Sequence, residues 1–247
     1  MPIERERVTT SGFFPPWIRH EHYARYDFAA EIASGKTVVD CACSDGTYAG
    51  VLARRAGAVH GFDVSAEAIE EARRVNAAPN VHYEVGDALA LPLPNGFAEV
   101  FVSLETIEHL PDAPAFLREI VRVLGPAGVL VCSTPDRDVY SPGNGPDSTP
   151  WNRFHIREYT RDELLALLGG SFREVTLYGQ NPKRPAVVGA KRALGRRLPA
   201  NLMVRCNQAL KLPRFLHDPP ARHAVVPAEP SRRYEILVAV CSQPIGR

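Results

Sequence analysis

Residues 37–46 read Thr-Val-Val-Asp-Cys-Ala-Cys-Ser-Asp-Gly. Val38 and Val39 are β-branched and follow Thr37, a run that suits a buried strand. Asp40 ends the run, and the small residues Cys41 to Gly46 turn the chain. Thr47 to Ala53, Thr-Tyr-Ala-Gly-Val-Leu-Ala, then starts a helix. A strand, a tight turn and a helix form the opening βα unit of a nucleotide-binding sheet. Small residues let the backbone approach a ligand, and the first helical turn points unpaired N–H groups at it. A strand-to-helix turn without a ligand is the alternative reading of this stretch.

Downstream of this unit, strands and helices alternate. Ala58–Asp63 is a second strand ending in an acid, and Ser65 caps a helix running through Val75. Ala68 stands where a capping box would need Glu, so Glu67 in the first turn acts through the helix dipole instead. Val81–Val85 alternates as a third strand and stops at Gly86-Asp87. Glu99–Leu104 is a fourth strand, Asp112 to Leu124 an amphipathic helix stopped by Gly125-Pro126, and Gly128–Thr134 a fifth strand. This alternation implies a parallel sheet covered by helices on both faces, whose ligands bind at the carboxyl ends of the strands. Asp136 to Ile156 is irregular and long enough to suggest a functional loop. Thr160 caps a helix through Leu168, with Glu163 completing a capping box. Phe172–Tyr178 is a sixth strand and Arg233–Val240 the last.

Upstream, residues 1–16 read as a flexible arm, and Trp17 to Ser34 as a helix or helix pair leading into the first strand. The chain therefore divides into an arm and helical lid (1–36), a ligand-binding core (37–180 and 231–247) and an insertion (181–230) of short helical pieces broken by prolines. At 247 residues with 45% hydrophobic and 23% charged content, the chain reads as a soluble globular protein. No apolar run is long enough to span a bilayer, and the N-terminus has no apolar stretch of the signal-peptide type. Five cysteines, an odd number and mostly beside strands, suit reduced thiols and a cytoplasmic location. Cys41 and Cys43 lack the second pair that a structural zinc site needs.

The net charge of +1 hides an uneven spread: residues 181–223 carry ten Lys or Arg against one acid, Asp218. This basic stretch reads as a lid or homodimer surface, as a membrane-surface patch for a lipid-linked acceptor, or as a nucleic-acid surface. Phe215 is its only aromatic residue, which disfavours nucleic acid.

Four blocks resemble class I S-adenosylmethionine-dependent methyltransferases, of the type that includes the ubiquinone-pathway O-methyltransferases. They are VVDCACSDGTYAG, HGFDVSAEAIEEAR, EVGDALALPLPNGFAEVFVSLETIEHLPDAPAFLREIVRVLGPAGVLVCSTPD and the terminal YEILVAV. The resemblance implies an α/β, Rossmann-like, seven-stranded sheet with its last strand antiparallel. It implies that Asp40 and the turn from Ala42 to Gly46 hold the methionine part of the donor. Asp63 would accept from the ribose hydroxyls, Asp87 and Ala88 would address the adenine, and Leu104 would pack beside the adenosine or methionine. Arg25 or Tyr26 would meet the methionine carboxylate. The chain departs from the family at Ala42 and Ser44, where the usual turn has glycines. No Lys-Ser or Lys-Thr follows Gly46, so this is no P-loop, and the absence of G-x-G-x-x-G argues against a dinucleotide fold.

The stretches NRFHIREYT and EHYARYDFAAEIASGK resemble methyltransferases that act on sugars and glycans. Transfer to a hydroxyl needs proximity and removal of a proton. His155, in the first of these stretches, and His109 are the candidate bases. Glu105, Glu108 and His109 share one face at helical spacing, and the matching block in the ubiquinone-type enzymes is implicated in binding a divalent metal, here Mg²⁺. A helix-start acid pair without metal is the alternative. The expected activity is O-methylation of a saccharide, polysaccharide or glycosylated metabolite. A phenolic, quinone-like or polyketide acceptor is the enzyme alternative, and a non-catalytic scaffold that binds the donor is the third reading.

Overall fold

The computed structural model describes residues 16–195, 202 and 223–246. The arm at 1–15, Cys206 and most of the basic stretch lie outside the described residues. The elements run α1 (Pro16–Ile32), β1 (Thr37–Cys41), α2 (Ala49–Ala53), β2 (Ala58–Asp63), α3 (Ala66–Val75), β3 (Val81–Val85) and β4 (Ala98–Leu104). A 3₁₀ turn at Ile107–His109 follows, then α4 (Ala113–Val123), β5 (Leu124–Pro135), α5 (Arg137–Tyr140) and α6 (Arg161–Gly169). The chain ends with β6 (Phe172–Lys183), α7 (Pro185–Gly195), β7 (Val226–Pro227) and β8 (Arg233–Pro244).

Local chemistry accounts for many of these boundaries. The Ser65 hydroxyl accepts from the Ala68 amide at the start of α3, and the Asp112 carboxylate accepts from the Ala115 amide at the start of α4. Thr160 and Glu163 form the full capping box of α6. Trp17 to Ile32 is one helix rather than two, and α5 adds a single turn to the segment expected to be irregular. The sixth strand runs on to Lys183, five residues past its expected end at Tyr178, because β8 pairs with it as far as Lys183↔Arg233.

The sheet has eight strands in the order β3-β2-β1-β4-β5-β8-β6-β7. β1 to β5 pair in parallel, and β8 runs antiparallel between β5 and β6. The expected seven-stranded sheet with an antiparallel last strand is present. The eighth strand is the two-residue edge pairing of Val226 and Pro227 with Gly179 and Tyr178.

Side chains alternate across the sheet. Val38, Val100 and Val102 pack with Ala29, Leu52 and Ile69 from the α1, α2 and α3 side. Val39 and Phe101 face the other way, against Phe116, Leu117, Ile120 and Leu164 from α4 and α6. Each large aliphatic or aromatic side chain buried this way contributes about 1.5–3 kcal/mol, so the two cores clamp the sheet from both sides. β1 and β4 are neighbours although β2 and β3 lie on one side and β5 on the other. The strand order reverses there, which is where such sheets open a crevice at their carboxyl ends.

Candidate active site

A cleft of about 710 Å³ lies over this switch point. The carboxyl ends of the five parallel strands feed it: Ala42 and Ser44 after β1, Asp63 on β2, Asp87 and Ala88 after β3, Leu104 on β4 and Pro135 on β5. α1 closes one side with Glu21, His22, Arg25 and Tyr26.

The turn after β1 is unusual in its backbone. Ala42 (φ 64°) and Ser44 (φ 54°) are both left-handed, the conformation that glycine adopts freely. The positions where the chain lacks the family's glycines therefore keep a glycine-like path, with small side chains carrying the strain. Gly46 (φ 71°) does not line the cleft; a Cβ there would stand 2.5 Å from the Tyr83 hydroxyl, so this glycine serves packing against β3. The Ser44 amide donates to Asp63 Oδ2 at 3.1 Å and the Ser65 amide to Oδ1 at 2.9 Å. Each carboxylate oxygen has a second lone pair, so Asp63 is fixed in place and can still accept from a ligand. Asp87, exposed at the next strand end, accepts from the Leu89 amide at 2.9 Å.

Asp40 sits behind the cleft rather than in its lining. Tyr26 donates to its Oδ1 at 3.1 Å, while its buried Oδ2 has no partner among the described residues. Burial pushes the Asp40 carboxyl up to about 7, against the lowering effect of the Tyr26 hydrogen bond and with a further rise from Asp63. Burial and Asp40 in turn push the Tyr26 phenol well above its ordinary value. Arg25, almost fully buried, donates through Nη1 to Gln180 Oε1 on β6. Burial and the Arg25 charge push His22 well below the ordinary imidazole value. Cys41 and Cys43 are free, buried thiols, with burial and Asp40 pushing both pKa values up, which makes them poor metal ligands.

The two histidines meet at the other end of the cleft. Their rings pack edge to face with centroids 5.0 Å apart. His109 Nδ1 lies 2.9 Å from the Phe154 carbonyl oxygen. A carbonyl only accepts, so Nδ1 carries a proton, and in the neutral ring Nε2 carries the lone pair. His155 Nδ1 lies 2.8 Å from Glu158 Oε1, and its Nε2 accepts from the Asn152 side-chain amide at 2.9 Å. The Asn152 amide thus engages Nε2 of His155, while Glu158 engages its Nδ1.

Glu105 does not join this cluster. It follows β4 in a left-handed conformation (φ 55°), not on a helix, and its carboxylate accepts from the Ser133 hydroxyl at 2.6 Å. Glu108 Oε2 accepts from Thr134 at 3.0 Å. The ligand atoms that come together, within 4.8 Å of one another, belong to Glu108, His109 and His155. Glu105 is not brought to Glu108 and His109 as the helical spacing suggested, because the helical turn begins only at Ile107. Mg²⁺ prefers oxygen ligands, so two imidazoles and one carboxylate do not fit it.

Several lining residues were not singled out from sequence: Glu21, His22, Tyr48, Tyr140, Arg153 and Glu235. Glu158 was also missed, although the spacing Asn152-x-x-His155-x-x-Glu158 places a donor and an acceptor on either side of the imidazole.

Residues 39–132 match the family described as a methyltransferase domain. A Mycolicibacterium smegmatis protein named "Probable S-adenosylmethionine-dependent methyltransferase" is 37% identical over 152 residues, covering 62% of this chain and 57% of its own. A 2-methyl-6-phytyl-1,4-hydroquinone methyltransferase of Synechocystis is 36% identical over 100 residues, covering 39% of this chain and 31% of its own. This chain thus spans less than two thirds of the length of these curated relatives. Among solved structures, a SAM-dependent methyltransferase of Thermotoga maritima superposes with a TM-score of 0.60 at 17% identity, covering 92% of this chain and 93% of its own.

Proposed function

Because residues 39–132 form a class I S-adenosylmethionine-dependent methyltransferase domain, we propose that the chain methylates a hydroxyl of a saccharide, polysaccharide or glycosylated metabolite. The observation that carries the O-methyl reading is His109: a half-buried imidazole with Nδ1 committed to the Phe154 carbonyl, lining the cleft that Asp63 and Asp87 enter.

The residues present suit the donor. The left-handed turn at Ala42 and Ser44 brings backbone to the cleft wall, and Asp63 offers acceptors for two ribose hydroxyls. Asp87 and Ala88 would meet the adenine, Leu104 would pack against the adenosine, and Arg25 would meet the methionine carboxylate. Tyr26 acts one step back, by donating to Asp40 at the strand end. S-adenosylmethionine supplies a methyl already activated on a sulfonium. The chain's task is then to bring the hydroxyl into line and take its proton. His109 Nε2 receives that proton, while His155, oriented by Glu158 and Asn152, holds the His109 ring by edge-to-face packing. No metal enters this account.

Polar lining around the two histidines favours a polyhydroxylated substrate: Glu108, Arg153 and His155 line the cleft there. Leu110, Phe154, Ile156 and Ile236 in the same wall support the second reading, a phenolic or quinone-like acceptor, which the Synechocystis relative also favours. The four described cysteines, free and buried, suit a reducing cytoplasm. No helix among the described residues is long and apolar enough to cross a membrane. A labelled methyl-transfer screen over sugars, phenols and quinones, with and without chelator, tests the proposal. Transfer to sugars that is indifferent to chelator is expected. Transfer confined to phenols or quinones selects the second reading. Donor binding without transfer to any acceptor selects a non-catalytic scaffold.

A further inference from the structure

Beside the cleft lies a second cavity of about 540 Å³, between the start of α4, the 146–150 loop and the N-terminal part of α6. Leu110, Pro111, His155 and Ile156 line both cavities and form the partition between them. The partition is pinned from below: the amides of Ile156 and Arg157 both donate to the Glu108 carbonyl, at 2.8 and 3.1 Å. Ile156 itself is 54% exposed at the crest.

Volume sets the argument. Roughly 300–1,000 Å³ accommodates one drug-sized ligand. The main cleft, at about 710 Å³, has to hold donor and reacting hydroxyl together. An acceptor much larger than one ring outgrows it, and the adjoining space is across Ile156. We infer that the second cavity is a subsite for the further sugar residues of an extended saccharide acceptor; this rests on the saccharide reading above. The lining suits carbohydrate. Pro114, Pro150 and Leu167 offer apolar surface to the C–H faces of a sugar ring, and Asp147, Thr149 and Arg157 offer polar groups to its hydroxyls. The Arg157 guanidinium lies 5.3 Å from the Tyr159 ring centroid, which holds it at the edge of the cavity. An alkyl chain there would strip water from Asp147 and Arg157 without replacing its hydrogen bonds.

The test compares the methyl glycoside, the disaccharide and the trisaccharide of whichever sugar the acceptor screen identifies, with its octyl glycoside as the apolar control. The wild type is expected to favour the di- and trisaccharide by about tenfold or more in kcat/KM, equivalent to about 1.4 kcal/mol. Thr149→Trp, which fills the cavity, and Arg157→Ala, which removes a polar contact, are expected to erase that preference. Both residues are exposed and outside the catalytic cluster, so the methyl glycoside rate should stay within about twofold. Equal rates at all lengths, a preference that survives Thr149→Trp, or an octyl glycoside better than the disaccharide would overturn the subsite. Those outcomes leave the saccharide reading standing. Transfer to phenols alone removes that reading, and the subsite with it.

Discussion

The Ser44 amide donates to the Asp63 carboxylate across 3.1 Å, tying the turn after β1 to the tip of β2. This bond presets the wall on which a ribose would lie, and it forms only because Ser44 adopts a left-handed backbone. The same backbone carries a cost of roughly 1–2 kcal/mol for a residue with a side chain.

Replacing Ala42 or Ser44 by glycine should therefore stabilise the fold. Glycine gives back roughly 0.4–1 kcal/mol through its freer unfolded chain, which leaves a net gain of up to about 1.6 kcal/mol at each site. Ser44→Gly also removes a buried hydroxyl that has no partner among the described residues. Urea denaturation should show a higher midpoint for both variants; a lower one would mean the turn is not strained.

His109→Ala should lower kcat by roughly 10²–10⁴-fold, the usual contribution of a positioned base, with donor affinity unchanged. Glu158→Gln and His155→Ala should have smaller effects, since they act on the orientation of His109. A His109→Ala protein with full turnover would move the base elsewhere, and a larger loss in His155→Ala would exchange the two roles.

Stability should rise as pH falls from 8 towards 5.5. Burial raises the carboxyls of Asp40 and Asp136 to about 7 each, against about 3.9 in an unfolded chain. The native state then keeps protons that the unfolded state has released, so this contribution is complete below about pH 4 and fades as pH climbs through 7. Asp40→Asn keeps an acceptor for Tyr26 and should flatten the melting-temperature profile, leaving the share of Asp136. A profile unchanged in Asp40→Asn would show that Asp40 is ionised in the fold.

Gln180→Ala should weaken donor binding by several-fold and leave kcat alone. Gln180 accepts from Arg25 and donates to the backbone carbonyls of Glu21 and His223, so it fixes the one cationic side chain that α1 lends to the cleft. Gln180→Glu can still accept from Arg25 but loses both donations to the Glu21 and His223 carbonyls, so it should recover only part of the affinity. Equal loss in both variants would mean that the wall, not Arg25, is what changed.

What could be read from residues alone was what neighbours in sequence decide. Ala58–Asp63 and Val81–Val85 matched their expected bounds because period-two patterning and flanking turn residues are local signals. Ser65 and the Thr160–Glu163 box are legible for the same reason. The length of β6 was not, because the pairing that extends it comes from β8, some fifty residues away. Within the site, Asp63 and Asp87 reach the cleft as strand tips must. Asp40 and Gly46 do not line it, since one is capped by Tyr26 from a distant helix and the other by Tyr83 from β3. The union of Glu108 and His109 with His155 depends on a loop folding back over β4, which no local pattern encodes.

Isothermal titration of the purified chain with S-adenosylmethionine, repeated with Asp63→Asn, tests most directly whether the strand-tip cleft is a donor site. One-site binding to the wild type, weakened about tenfold or more when Asp63 loses an acceptor oxygen, is the predicted result. No binding to the wild type, or identical affinity in Asp63→Asn, would contradict it.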